Sequence, residues 1–318
     1  MNSKKANRVF LVTMLCYIVL ILGLSRFAPG LMGNLFVSNL AVELVITLPV
    51  LAAAVACGEK LPAFLGFRKI RIKSLLMTVL FTFLTVPALT LFNLISQIWV
   101  ENEVAAMLEG QQAGQMSFGI LFLSTGIIAP IFEEVACRGA YYHSYRKSGS
   151  AFRAMLLSSL IFALVHMNFN QAAYALVMGI FSVLLMEAAG SLWASILYHG
   201  LVNGSNVLLM YMALRADPDA YSGQAALVTS NFLIYGIGVY LILAAVTLPL
   251  AWAVLVWISG HQGRSSILSQ IWKQRKEKKD KMLTVPLVLA LILCVSLMTG
   301  VFSFLLVKLA AAFGIVLY

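Results

Sequence analysis

Charge is what this chain has least of. Only 11% of its 318 residues are Asp, Glu, Lys or Arg, against about 25% in an average soluble domain. So few charged groups cannot cover a water-facing surface, which excludes an ordinary soluble enzyme and a disordered chain. Cysteine is scarce too: Cys16, Cys57, Cys137 and Cys294 lie in or at the ends of apolar runs, without metal-ligand spacing. That argues against a disulfide framework and a structural zinc site. Aspartate is rarer still. Asp217, Asp219 and Asp280 all fall in polar loops, so a buried aspartyl pair is excluded. No His-Glu-x-x-His, no Gly-x-Ser-x-Gly and no glycine-rich phosphate loop is present, which removes the zincin, serine-elbow and ATP-dependent routes.

What the chain has is apolar length, at 61% hydrophobic residues. A transmembrane helix needs about 20 mostly apolar residues. Runs of that kind predict nine spans near 9–25, 35–57, 74–99, 117–141, 153–168, 171–189, 191–213, 226–258 and 284–312. The expected fold class is an all-α, polytopic transmembrane helical bundle. It forms a single membrane domain over 1–318, with no polar stretch large enough for a second one. The basic start, Met1 to Lys5, leads into an apolar run without a clean small-residue cleavage site, so the first span reads as retained.

The 22 basic residues outnumber the 12 acidic ones, a surplus whose placement fits a membrane rather than nucleic acid. With the N-terminus cytoplasmic, 18 of the basic residues fall on inside segments, and only Arg26 and Arg215 fall outside, beside Glu101, Glu103, Glu109, Asp217 and Asp219. The positive-inside rule then puts the N-terminus in and, for an odd span count, the C-terminus out. The basic cytoplasmic loop 261–281 carries Ile267, Leu268, Ile271 and Trp272 at helical spacing. It reads equally as an interfacial helix on anionic lipid headgroups or as a solvated loop.

A charge at the bilayer centre costs on the order of 3 kcal/mol, so each one needs a reason. Three segments within 117–213, the motif-bearing core helices, collect such groups. They are Glu133-Glu134 with Arg138, Phe162 with His166, and His199-Gly200 with Asn203-Gly204. Glu134 and Arg138 share a helix face, as do His199 and Asn203. Gly200 and Gly204 form a small-xxx-small pattern that admits a close neighbour. Glu133 lies 13 residues from Arg146, and His166 lies 13 from Arg153. Each is therefore about 20 Å deep at 1.5 Å per residue, and the segments can meet in one layer. Singly, the ion pair could be an orienting device and each histidine a packing residue. Glu133 differs because Arg138 is taken by Glu134. Glu43 and Glu187 lack partner spacing and read as lipid-edge or helix-contact residues; Cys137 reads as a small buried hydrophobe.

A carboxylate beside a histidine in an apolar cavity can act as general base toward water. A His and an Asn one turn apart can donate hydrogen bonds to a developing oxyanion. Together these parts describe amide hydrolysis.

Glu-Glu-x-x-x-Arg, Phe-x-x-x-His and His-x-x-x-Asn, in that order over 133–203, resemble the CPBP family. These are CAAX-protease and bacteriocin-processing (Abi) membrane proteins, similar to the eukaryotic endopeptidase that trims prenylated proteins. The resemblance implies a glutamate-dependent intramembrane endopeptidase; a metal is a competing interpretation of such Glu/His sets, and the metal-free, cofactor-free one is preferred. In it Glu133 and His166 would activate water, His199 and Asn203 would form the oxyanion site, and Glu134 with Arg138 would support them. The substrate would be a membrane-associated peptide or protein, and the setting a bacterial cell membrane. The alternative is a non-proteolytic immunity or scaffold protein, or a proton-coupled transporter. No second copy of the Glu-Glu or His-x-x-x-Asn segment supports the internal symmetry a transporter would favour.

Overall fold

The computed structural model describes residues 1–101, 117–216, 230–277 and 282–312. Glu103, Glu109, Asp217, Asp219, Lys278, Lys279, Asp280 and Lys281, used above for charge placement, lie outside the described residues. Among the described residues all regular structure is helical. The N-terminal helices are α1 (Ser3–Phe27), α2 (Leu35–Ala56) and α3 (Ile72–Ser96). The central group is α4 (Phe118–Lys147), α5 (Ala151–Leu164), α6 (Phe169–Ala189) and α7 (Leu192–Ala216). The chain continues through α8 (Ser230–His261), α9 (Ile267–Lys273), α10 (Val285–Met298) and α11 (Val301–Ala312).

Polar side chains start several of these helices by satisfying otherwise unpaired backbone N–H groups. Asn34 caps α2, Ser150 caps α5 and Asn168 caps α6, the last accepting from the Gln171 backbone. Gly190 ends α6 at φ 70°, a left-handed position that suits glycine.

By length and apolar composition α1, α2, α3, α4, α6 and α8 can cross a membrane, six helices among the described residues. The pair α10 and α11, bent by 86°, makes seven if counted as one span. The chain is thus a multi-pass helical membrane protein, with fewer qualifying spans than the nine expected. Two segments account for the difference. α5 has 14 residues, about 21 Å of helix, which is short of a hydrocarbon core about 30 Å thick. α7 has 25 residues, but His199, Asn203 and its serines dilute its hydropathy. Both helices carry site residues.

α3 packs on α8, α5 on α6, and α1 between α2 and α10. α4 runs through the middle, touching α2, α5 and α7. It is π-helical over Phe122–Ile128 and Val135–Tyr142, on either side of the α-helical turn Ala129–Glu134. Such wide turns cluster at functional sites. The glycines of α7 meet α4 as their spacing predicted. A Cβ on Gly200 would stand 3.0 Å from the Gly126 carbonyl oxygen, and one on Gly126 would stand 3.2 Å from the Gly204 Cα.

One end of the bundle gathers the basic segments. The Met1 amino group and Lys147 both pair with Glu59, and Arg71 donates to the His261 carbonyl. Within the basic loop, α9 buries Ile267, Leu268 and Ile271 against the bundle, and Trp272 is exposed with its ring edge on Phe152.

Candidate active site

The turn Ala129–Glu134 puts two carboxylates side by side in the middle of α4. Glu134 and Arg138 are sealed from solvent, with Arg138 Nη1 3.0 Å from Glu134 Oε1. The guanidinium carbon lies 3.9 Å from the centroid of the Phe162 ring. None of the three guanidinium nitrogens makes a well-directed hydrogen bond. The arginine is held by charge attraction and by the aromatic face, with α5 supplying the ring.

α7 brings His199 to the same carboxylate, its Nδ1 3.0 Å from Glu134 Oε1. An ionised carboxylate only accepts, so Nδ1 carries the proton in this contact. Asn203 Nδ2 lies 3.2 Å from His199 Nε2 and 3.2 Å from the Thr125 carbonyl oxygen. Its two N–H groups serve both, so His199 Nε2 accepts. Glu133 Oε2 stands 3.4 Å from that same Nε2. The histidine is thus poised between two partners: neutral, it accepts from Asn203; protonated at Nε2, it can donate to Glu133.

His166 follows the end of α5 in a sharp reversal where Met167 takes a positive φ of 53°. A non-glycine residue there costs on the order of 1–3 kcal/mol, and such strain concentrates at functional sites. His166 Nδ1 lies 2.7 Å from the Phe162 carbonyl oxygen. A carbonyl only accepts, so Nδ1 donates and Nε2 keeps its lone pair. The Phe162 ring meets both histidines edge-on, at 4.9 Å from His166 and 5.5 Å from His199. Among the described residues no ion pair joins His166 to Glu133.

Five of the six expected site residues therefore form one connected network: Glu133, Glu134, Arg138, His199 and Asn203. His166 reaches it through Phe162. The six divide by burial. Glu134, Arg138 and His199 are sealed, while Glu133 at 12% side-chain exposure, His166 and Asn203 are only partly covered. Cys137, next to them on α4, is fully buried.

Sequence reasoning named two further glutamates but not their partners. Of the two readings, lipid edge and helix contact, Glu43 fits the second: it is 3% exposed, on the face of α2 that meets α4, and interacts with Glu133. The signal was an unexplained charge in mid-span. Glu187 is likewise partnered, accepting from the Tyr142 hydroxyl at 2.6 Å and pairing with Arg146 at 3.2 Å and Arg264 at 2.9 Å. It lines a cavity of about 200 Å³ with Arg68, His143 and Ser191, at the basic end and away from Glu133. Among the described residues no three His, Cys, Asp or Glu side chains are grouped to hold one metal ion.

Fold and site together define a multi-pass helical membrane protein with a buried Glu–Arg–His–Asn cluster. Residues 115–205 match the family model Rce1-like, described as type II CAAX prenyl endopeptidase Rce1-like. That stretch contains all six expected site residues. The match supports the resemblance to the CAAX-protease family. No curated protein and no solved structure gave a match.

Proposed function

We propose that this protein is an intramembrane endopeptidase of the cell membrane, hydrolysing a peptide bond of a membrane-associated protein or peptide with water activated by Glu133. The observation that carries the reading is the division of the cluster by burial. Glu134 and Arg138 are sealed and bound to each other, so they orient rather than touch substrate. Glu133, His166 and Asn203 are the members a substrate carbonyl and a water can reach.

The chemistry follows from the donors and acceptors. Glu133 takes a proton from water whose other side is held by the His166 Nε2 lone pair. The water oxygen adds to the scissile carbonyl carbon, and the carbonyl oxygen becomes an oxyanion. Asn203 turns one N–H from His199 to that oxygen. Glu133 can share the proton taken from water with His199 Nε2, 3.4 Å from its Oε2. Glu134, whose Oε1 lies 3.0 Å from Nδ1, stabilises the charged ring, which no longer accepts from Asn203 and so leaves that N–H to the oxyanion. Collapse of the tetrahedral intermediate breaks the C–N bond, and Glu133 returns its proton to the leaving amine.

Anionic headgroups would meet the basic end, which would face the cytoplasm. Labelling a cysteine placed at Ser265, exposed in this structure, tests that orientation: an impermeant thiol reagent should fail on intact cells and succeed on inverted vesicles. Function is tested by comparing the membrane proteomes of cells carrying wild type and Glu133→Gln. Substrates should accumulate uncleaved only with the variant; identical peptide profiles would overturn the protease reading.

A further inference from the structure

One face of α2 lies along the acidic helix as a row with four-residue spacing: Asn39, Glu43 and Thr47. Asn39 Nδ2 donates to Ser124 Oγ at 2.9 Å, and Thr47 Oγ1 donates to the Phe132 carbonyl at 3.2 Å. These two bonds fix α2 against α4 immediately on either side of Glu43. Between them Glu43, 3% exposed, interacts with Glu133 across the contact of α2 with α4. Glu43 Oε2 and Glu133 Oε2 are both buried without a hydrogen-bond partner. His199 from α7 also faces Glu133, while Arg138 is committed to Glu134.

Two ionised carboxylates only accept, so they cannot hydrogen-bond each other. In an apolar setting, like charges at this range leave one proton shared between them. Resting on the protease reading above, we propose that Glu43 is a positioning residue of the catalytic centre. Its protonated carboxyl donates to one oxygen of Glu133 and so aims the other at the attacking water. Asn39 and Thr47 hold the donor in register. Glu133 is thereby fixed by Glu43, which a base needs when its own helix supplies no partner.

The test uses the full chain in nanodiscs of phosphatidylethanolamine and phosphatidylglycerol. Infrared difference spectra of wild type at neutral pH should contain the C=O stretch of a protonated carboxyl. Glu43→Gln should remove that band and Glu133→Gln should shift it, while Glu187→Gln should leave it alone. A wild type without the band, or a band unchanged in Glu43→Gln, overturns the proposal. This readout needs no substrate, so it stands apart from the protease reading.

A second arm uses the membrane protein trapped by Glu133→Gln. Glu43→Leu, similar in size but without a donor, should lower kcat on the order of 100-fold, the scale of a misplaced catalytic group, with KM within about twofold. Glu43→Gln, which still donates, should restore kcat to within about fivefold of wild type. Equal kcat in wild type and Glu43→Leu overturns the positioning role. Cleavage by Glu133→Gln at the wild-type rate would instead overturn the protease reading, leaving the infrared result to decide whether the carboxyls pair.

Discussion

Two buried glutamate sites sit in this bundle, and they are finished differently. Glu187, at the basic end, accepts from Tyr142, Arg146 and Arg264, and the Arg264 Nε also binds its backbone carbonyl. Both carboxylate oxygens have partners. Around Glu133 and Glu134 the opposite holds: Glu43 Oε2, Glu133 Oε2 and Glu134 Oε2 are buried without one. Buried polar atoms are nearly always paired, so a cluster of exceptions needs an explanation. A structural ion pair gains by being complete. A site that must bind a water and a carbonyl keeps acceptors open and holds the incomplete groups in place with sealed ones.

The comparison breaks most sharply at Glu133. Glu133→Gln keeps size and hydrogen bonding but removes the basic oxygen. Cleavage of the trapped substrate should fall by about 100- to 10,000-fold, the range for losing a general base, while the unfolding midpoint stays near wild type. Glu187→Gln should show the reverse, with turnover within about twofold of wild type and a lower midpoint. Its arginines are partly exposed, so the stability cost should be about 1 kcal/mol. Normal turnover by Glu133→Gln would place the base elsewhere.

Next in size is Glu134→Gln. It leaves Arg138, fully buried beside Phe162, without its counter-charge. Stranding one half of a buried pair costs about 3–5 kcal/mol. Yield and unfolding midpoint should drop together with activity. The double variant Glu134→Gln, Arg138→Met should recover midpoint but not turnover, because His199 would still lack the carboxylate on Nδ1. A double variant less stable than Glu134→Gln would show that Arg138 is held by the aromatic face alone.

How far the sequence reaches is itself set by distance along the chain. Glu134 with Arg138 and His199 with Asn203 were legible because four-residue spacing on a helix forces proximity. The close approach at Gly200 and Gly204 was legible for the same reason, although its partner Gly126 was not. Glu43 was not legible as a partner of Glu133: it lies 90 residues earlier, on a helix whose rotation depends on the Asn39 and Thr47 contacts. The π-helical stretches of α4 escaped because their hydrogen-bond shift carries no residue signature in this segment. Length and apolarity alone leave α5 and α7 outside the qualifying spans, α5 for its 14 residues and α7 for its polar side chains. These are the helices that present His166, His199 and Asn203.

The smallest effect expected is at Glu59, a carboxylate at the surface, partly covered and paired with the exposed Lys147, which contrasts with both buried sites. The Lys147 ammonium, and after it the Met1 amino group, hold its carboxyl below the usual range. A group depressed in the folded state adds stability above its unfolded value of about 4.3, and that stability is lost as pH falls through the folded value. Wild type and Glu59→Gln should therefore differ in unfolding midpoint near neutral pH and converge as pH drops below about 4. Added salt should narrow the gap, because an exposed pair is screened within about 10 Å at 0.1 M ionic strength. Buried pairs such as Glu134–Arg138 should respond far less to salt. A gap between wild type and Glu59→Gln that persists unchanged through acid and salt would mean that Glu59 acts by packing, not by charge. The contrast between exposed and sealed glutamates would then rest on the buried pairs alone.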